Sequence, residues 1–283
     1  MSNAEQIEYW NGDAGKRWAA QDNTMERLLQ PITEALLAHA NVEGCISALD
    51  IGCGGGSQSM MLAARLGPDA KVLGVDISEP MLQVARQKPP GAGPNLARVD
   101  FMQADAATQV FAADSFDLLF SRFGVMFFDD PVAAFSNVRS AIKPGGRLAF
   151  CCWQALKNND WTWIPLQAAL QHLPPPEAPA PNAPGPFAFA DPERVSSILG
   201  DSGFGDIAVT PHCMTMRFSE APTLQESVRE LAKIGPIGRL LTDQDEAVLE
   251  KVFAAMEEVL QPYYRDGALN LPAAIWMVTA TVA

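Results

Sequence analysis

The sequence predicts an α/β protein: a mostly parallel sheet with helices on both faces. Two observations carry this. Between Cys45 and Trp153, short β-like apolar runs alternate with amphipathic helical stretches, the pattern of repeated βαβ units. One of those runs also ends in a cluster of glycines from which a helix starts at once, at residues 48–57. Strands are expected at 46–51, 71–76, 99–103, 116–121 and 147–153. Between them, Ser78 is placed to cap a helix over 79–87, and Asp130-Pro131 opens one over 132–142, with Pro at the first helical position. Lys143-Pro144-Gly145-Gly146 closes that helix and turns the chain into the fifth strand.

Upstream, 24–40 reads as an amphipathic helix burying Leu28, Leu29, Ile32, Leu36 and Leu37. The segment before it, residues 9–18, is aromatic and glycine-containing and reads as an ordered arm. Downstream, 174–186 holds seven of the 22 prolines and reads as a surface loop. A helix follows from Asp191-Pro192 through Leu199, then a strand over 207–218. Thr242 and Asp245 resemble a capping box before a helix whose apolar positions run from Ala247 to Leu260, and 273–282 reads as a terminal strand. The expected organisation is an arm and helix at 1–40, able to act as a lid, a ligand-binding core at 41–153 and a proline-rich insertion at 154–190. The rest of the sheet falls at 191–283, with a helical insertion at about 220–265.

Composition narrows the function. The 283 residues include 33 acidic and 20 basic side chains, a net charge of −13, so no broad basic field exists to attract a phosphate backbone. No apolar run is long enough to span a bilayer, and residues 1–21 lack the basic and apolar halves of a secretion signal; a cytoplasmic location is expected. Five cysteines, an odd number without CxxC spacing, argue against a disulfide framework or a zinc site.

The most informative run is Asp50-Ile51-Gly52-Cys53-Gly54-Gly55-Gly56-Ser57. Glycines there let a ligand lie against bare backbone, and the following helix offers unpaired N–H groups. The next strand ends in Asp76, 24 residues after Gly52, where an acid accepts ribose hydroxyls. A dinucleotide and S-adenosylmethionine compete for this geometry. The dinucleotide fingerprint wants a third glycine where Ser57 stands, and the Asp50 carboxylate would repel a pyrophosphate while suiting a cationic amino group. The sign of that charge favours S-adenosylmethionine.

Taken with Gly74-Val75-Asp76-Ile77-Ser78, Ala104-Asp105-Ala106, Phe116 to Arg122 and Lys143 to Leu148, the chain resembles class I S-adenosylmethionine-dependent methyltransferases of the small-molecule group, similar to the ubiquinone/menaquinone-biosynthesis enzymes. The resemblance implies a Rossmann-like, mostly parallel seven-stranded sheet with an N-terminal helical arm and helical insertions. It further implies Gly52 and Gly54 against the methionine and ribose portions, Asp50 near the amino group, Asp76 on the ribose hydroxyls and Ile77 on the adenine. Asp105 and the backbone of Ala106 would meet the adenine edge, and the Ser121 carbonyl the ammonium group. Asp50 has a second reading, bracing the glycine loop, and Asp105 a second, capping a turn. Cys53 is assigned no chemistry.

Trp10 and Trp18 either anchor the arm or fold over the cofactor; Trp18 is taken with the cofactor set and Trp10 with the acceptor set. Arg122, Phe123, Phe127, Trp153, Trp163 and His172 complete the acceptor candidates, by their positions at or beyond the carboxyl ends of the fourth and fifth strands. No motif places a required base, and no metal is expected. The expected activity is methyl transfer to a small molecule, chiefly by positioning, with S-adenosylhomocysteine as product, in a monomer or homodimer that engages no nucleic acid. A nicotinamide-dependent oxidoreductase and a non-catalytic S-adenosylmethionine-binding protein are the alternatives.

Overall fold

The computed structural model describes residues 4–88, 97–176, 180, 182–242 and 244–283. In chain order its elements are α1 (Ala4–Asn11), α2 (Asp13–Ala20), α3 (Asp22–His39), β1 (Ser47–Ile51), α4 (Ser57–Leu66), β2 (Lys71–Asp76), α5 (Glu79–Gln87), β3 (Arg98–Gln103) and β4 (Phe116–Arg122). There follow α6 (Pro131–Arg139), β5 (Ile142–Trp153), α7 (Asp160–Ala169), α8 (Pro192–Asp201), β6 (Gly205–Ser219), α9 (Leu224–Leu231), α10 (Gly235–Leu240), α11 (Glu246–Leu260), β7 (Tyr264–Arg265) and β8 (Ala268–Thr281).

The helix starts follow local chemistry. Ser78, Asp130 and Asp191 each accept a backbone N–H at the head of α5, α6 and α8, with Pro in the first turn. The capping box expected at Thr242 does not form: α11 starts at Glu246 with Asp245 at its N-cap, and the Thr242 hydroxyl donates to the Gly238 carbonyl. A side-chain cap stands at Thr223 at the head of α9, which accepts the Glu226 N–H at 3.2 Å and donates to the Glu226 carboxylate.

The strands order as β3-β2-β1-β4-β5-β8-β6, with the two-residue β7 pairing antiparallel to the start of β8. Parallel pairing runs Leu49↔Leu73, Leu49↔Leu119, Leu73↔Asp100 and Leu119↔Leu148. Chain progress reverses between β1 and β4, and right-handed crossovers then put α4 and α5 on the face opposite α6. That reversal is where open α/β sheets bind ligands, at the carboxyl ends of the strands. β5 begins at Ile142, five residues before the expected start. The Pro-Gly-Gly turn is drawn in by the chain end: Gly145 N–H donates to the Val282 carbonyl at 2.7 Å, and Val282 N–H to that of Gly146 at 2.9 Å.

The chain divides into two compact units. The first comprises Met1–Trp153, Ala183–Pro211 and Trp276–Ala283, the second Gln154–Asn182 and His212–Ile275. In the first, Ile32, Leu36, Leu62 and Leu82 are fully buried from α3, α4 and α5. Phe135 on α6 meets Phe150, Phe189 and Phe204 at ring distances of 5.7, 6.3 and 6.3 Å. In the second, α11 packs on α7 and α9, and Trp161 stacks on Phe218 at 5.4 Å. Among the described residues no helix is long and apolar enough to cross a membrane.

Asn159 organises the second unit. Fully buried, it accepts the Ala274 and Trp161 N–H groups through Oδ1 and donates to the carbonyls of Gln154 and Ala155. Asn159→Ala strands the Ala274 N–H and is expected to cost about 1–3 kcal/mol in urea unfolding; a loss under about 0.5 kcal/mol would show the side chain to be dispensable.

Candidate active site

β1 runs into the glycine loop, where Gly52 sits at φ +68. A Cβ there would fall 2.6 Å from the Gly124 α-carbon, so left-handed backbone and close approach both require glycine. Gly52 and Cys53 donate their N–H groups to the Val75 carbonyl, and Gly54 N–H donates to Asp76 Oδ2 at 2.7 Å. The other oxygen of Asp76 takes the Ser78 N–H at 2.8 Å. One half-buried carboxylate thereby ties the loop after β1 to the turn after β2. Burial raises its pKa, opposed by the N–H groups of Ser78, Gly54 and Ile77.

Asp50 is fully buried, and both its oxygens are engaged by α4: Gln58 donates at 2.6 Å and Ser59 at 2.5 Å. This is the bracing arrangement. Burial pushes its carboxyl up to about 7, against the hydrogen bonds of Ser59 and Gln58 and the charge of Arg122. Asp105 accepts the Ala107 N–H at 2.9 Å and so caps the turn after β3. The adjacent Ala106 is buried, its carbonyl held by Asn137.

At the end of β4, Ser121 donates to the Ile51 carbonyl at 2.7 Å and accepts the Gly124 N–H, joining β4 to the glycine loop. Arg122, an acceptor candidate by sequence, is committed elsewhere. Its guanidinium reaches back to α3, pairing with Glu26 at 3.0 Å and donating to Thr33 at 2.7 Å. Phe123 holds φ +66 and stacks on Trp153 at 4.4 Å with planes 10° apart, a backbone state uncommon for a bulky residue.

The arm forms two helices and docks on these same strand ends. Asn11 donates to the Ile77 carbonyl and accepts the Glu79 N–H, and the Ser78 hydroxyl donates to the Trp10 carbonyl at 2.7 Å. The Trp10 ring meets Trp18 at 5.9 Å and Phe127 at 5.6 Å. Asp50, Gly52, Gly54, Asp76, Ile77, Ser121, Trp10, Trp18 and Phe127 therefore belong to one connected neighbourhood of the first unit. Trp163 on α7 and His172 beyond it are exposed residues of the second unit. Sequence reasoning missed Asn11, which stood in the singled-out arm without a role, and the Asp22–Lys88 pair, for which no local signal exists.

Comparison with known proteins accords with this geometry. Residues 49–150 match the methyltransferase domain family. This stretch is a methyltransferase domain. The chain is 27% identical to nocamycin O-methyltransferase of Saccharothrix syringae over 211 residues, 72% of this chain and 75% of that protein. It is 34% identical to aklanonic acid methyltransferase DauC of Streptomyces sp. (strain C5) over 133 residues, 44% of this chain and 59% of the relative. It is 35% identical to demethylmenaquinone methyltransferase of Listeria welshimeri over 103 residues, 36% of this chain and 43% of the relative. Two solved structures share the fold at low identity. YcgJ of Bacillus subtilis has a TM-score of 0.58 at 15% identity, over 89% of this chain and 98% of that one. Phosphoethanolamine N-methyltransferase 2 of Haemonchus contortus, in complex with S-adenosylmethionine, has 0.57 at 19%, over 100% and 60%.

The site of this chain can be set against S-adenosylmethionine, the molecule bound in the Haemonchus structure. Its residues fit that molecule: bare backbone at Gly52 and Gly54, and in Asp76 a carboxylate whose oxygens each retain capacity to accept a hydroxyl.

Because the folded pKa of Asp50 lies above the unfolded value of about 3.9, its contribution to stability is complete below pH of about 4 and is lost as pH rises through about 7. Asp50→Asn should flatten the decline of thermal stability between about pH 4 and 7, by at most about 4 kcal/mol relative to wild type. Identical slopes would mean that Asp50 titrates normally.

Proposed function

We propose that the chain methylates a small organic acceptor mainly by positioning it, within a site closed by the N-terminal arm. The observation that carries the reading is Asp76, locked by the N–H groups of Gly54 and Ser78 at the end of β2 with Trp10 and Asn11 docked beside it. Bound S-adenosylmethionine supplies a methyl group already activated by its cationic sulfur. Asp76 would hold the ribose hydroxyls, Ile77 would pack on the adenine, and Asp105 with the Ala106 backbone would meet the adenine edge. The Ser121 carbonyl receives the ammonium group in this reading, and Asp50, when ionised, adds a negative charge that favours it.

No base is assigned. The work left to the chain is to align the acceptor and keep water out, for which Trp10, Trp18, Phe127 and the Phe123–Trp153 stack provide apolar surface at the strand ends. The relatives' names support an organic small molecule as acceptor, and the net charge of −13 weighs against nucleic acid. The same reading makes residues 1–40 a lid, and the protein a cytoplasmic monomer or homodimer.

Calorimetric titration is expected to show binding of S-adenosylhomocysteine and none of NAD. Asp76→Ala should weaken that binding by about tenfold to a hundredfold, the loss of charge-assisted hydrogen bonds worth roughly 1.5–3 kcal/mol. Asp76→Asn, which keeps the shape, should weaken it less. Turnover of a methyl-labelled cofactor against metabolite extracts would identify the acceptor. Binding of NAD in preference to S-adenosylhomocysteine would sink the reading, and cofactor binding without turnover of any extract would leave a binding protein instead of an enzyme.

A further inference from the structure

Three helices converge on one ammonium group. Lys88, just past the end of α5, places Nζ 2.7 Å from Asp22 Oδ2 and also donates to the hydroxyl of Ser57, the first residue of α4. Asp22 opens α3 directly after Gln21, where α2 ends. Its carboxylate lies on the glycine loop: a Cβ at Gly55 would fall 1.9 Å from Oδ1 and 2.7 Å from the carboxylate carbon. The Asp22 side chain is 6% exposed and that of Lys88 21%.

A pair this withdrawn from water contributes little net stability, because desolvation offsets the attraction; its better-attested effect is to specify register. Here the register is that of the arm's root against the loop. The far end of the arm is fastened, through Trp10 and Asn11, to the Ile77–Glu79 turn, which Asp76 ties to Gly54 of the same loop. The two fastenings share no side chain and communicate through the glycine loop and α2. Asp22 and Lys88 lie outside the set that would touch the cofactor.

We propose that Asp22 and Lys88 are a positioning pair that couples closure of the N-terminal arm to the glycine loop and so sets how fast S-adenosylhomocysteine leaves. The proposal rests on reading that loop as the cofactor's seat. Neutralising one member leaves the other buried and uncompensated and loosens the root of the arm, whereas Lys88→Arg keeps the charge.

Stopped-flow displacement of S-adenosylhomocysteine from the full chain tests this, with thermal unfolding measured in parallel. Asp22→Asn and Lys88→Met should each speed release by about fivefold or more, and Lys88→Arg should restore it. The double variant Asp22→Asn/Lys88→Met, which buries no lone charge, should release as fast as either single and keeps the test open if a single fails to fold. Asn11→Ala, at the far fastening, should also speed release, and its combination with Lys88→Met should fall short of the product of the two effects, the mark of coupled sites. Release unchanged in the neutralised variants, or effects that simply multiply, would overturn the pair's role while leaving the cofactor reading intact. Failure of the wild-type chain to bind S-adenosylhomocysteine would overturn both.

Discussion

The carboxylate of Asp76 is the point on which the first unit's ligand-facing end depends. It accepts one N–H from the glycine loop and one from the β2–α5 turn, so the two segments are joined at their tips. The Gly54 end reaches back to Gly52, which rests on Gly124; the Ser78 end carries the arm through Trp10 and Asn11. A single acid thereby fixes both the glycine loop and the turn to which the arm is attached. Because its oxygens hold backbone donors, its position is set before any ligand arrives, and preorganisation of this kind lowers the cost of binding.

Charge is distributed around that point in a consistent way. Asp50 is sealed beneath the loop by Gln58 and Ser59, and Asp22 lies over Gly55 paired with Lys88. Arg122, the cation at the end of β4, is neutralised by Glu26 on α3. The anions nearest the loop are thus either buried with hydrogen bonds or matched by a cation, and Asp76 alone among them is half-buried with capacity left on each oxygen. The helix α3 contributes to two of these arrangements, through Asp22 and Glu26, which makes it a structural base for the arm as well as a layer on the sheet.

Much of this was legible in residue order. Strands β2 and β4 and helices α4 and α5 fall where apolar alternation, caps and glycines place them, because those signals act within a few residues. The glycine loop, Asp76 and Asp105 stand in the short runs that carry the family resemblance. Where the structure departs from that pattern the causes differ: β5 starts early because Gly145 and Gly146 exchange hydrogen bonds with the remote Val282, and Thr242 does not cap because α11 starts only at Glu246, with Asp245 at its N-cap.

What the sequence alone determined is therefore the βαβ core, the glycine loop after its first strand and the acid at the end of its second, since each is written in short-range spacing. Tertiary structure decided what covers that loop and which charges are spent. That Arg122 is held by Glu26, 96 residues away, that Lys88 closes on Asp22, and that Asn11 reaches the Ile77 carbonyl are pairings between remote residues. Hydrogen bonds and ion pairs of that range depend on how helices cross the sheet, and no local propensity records it.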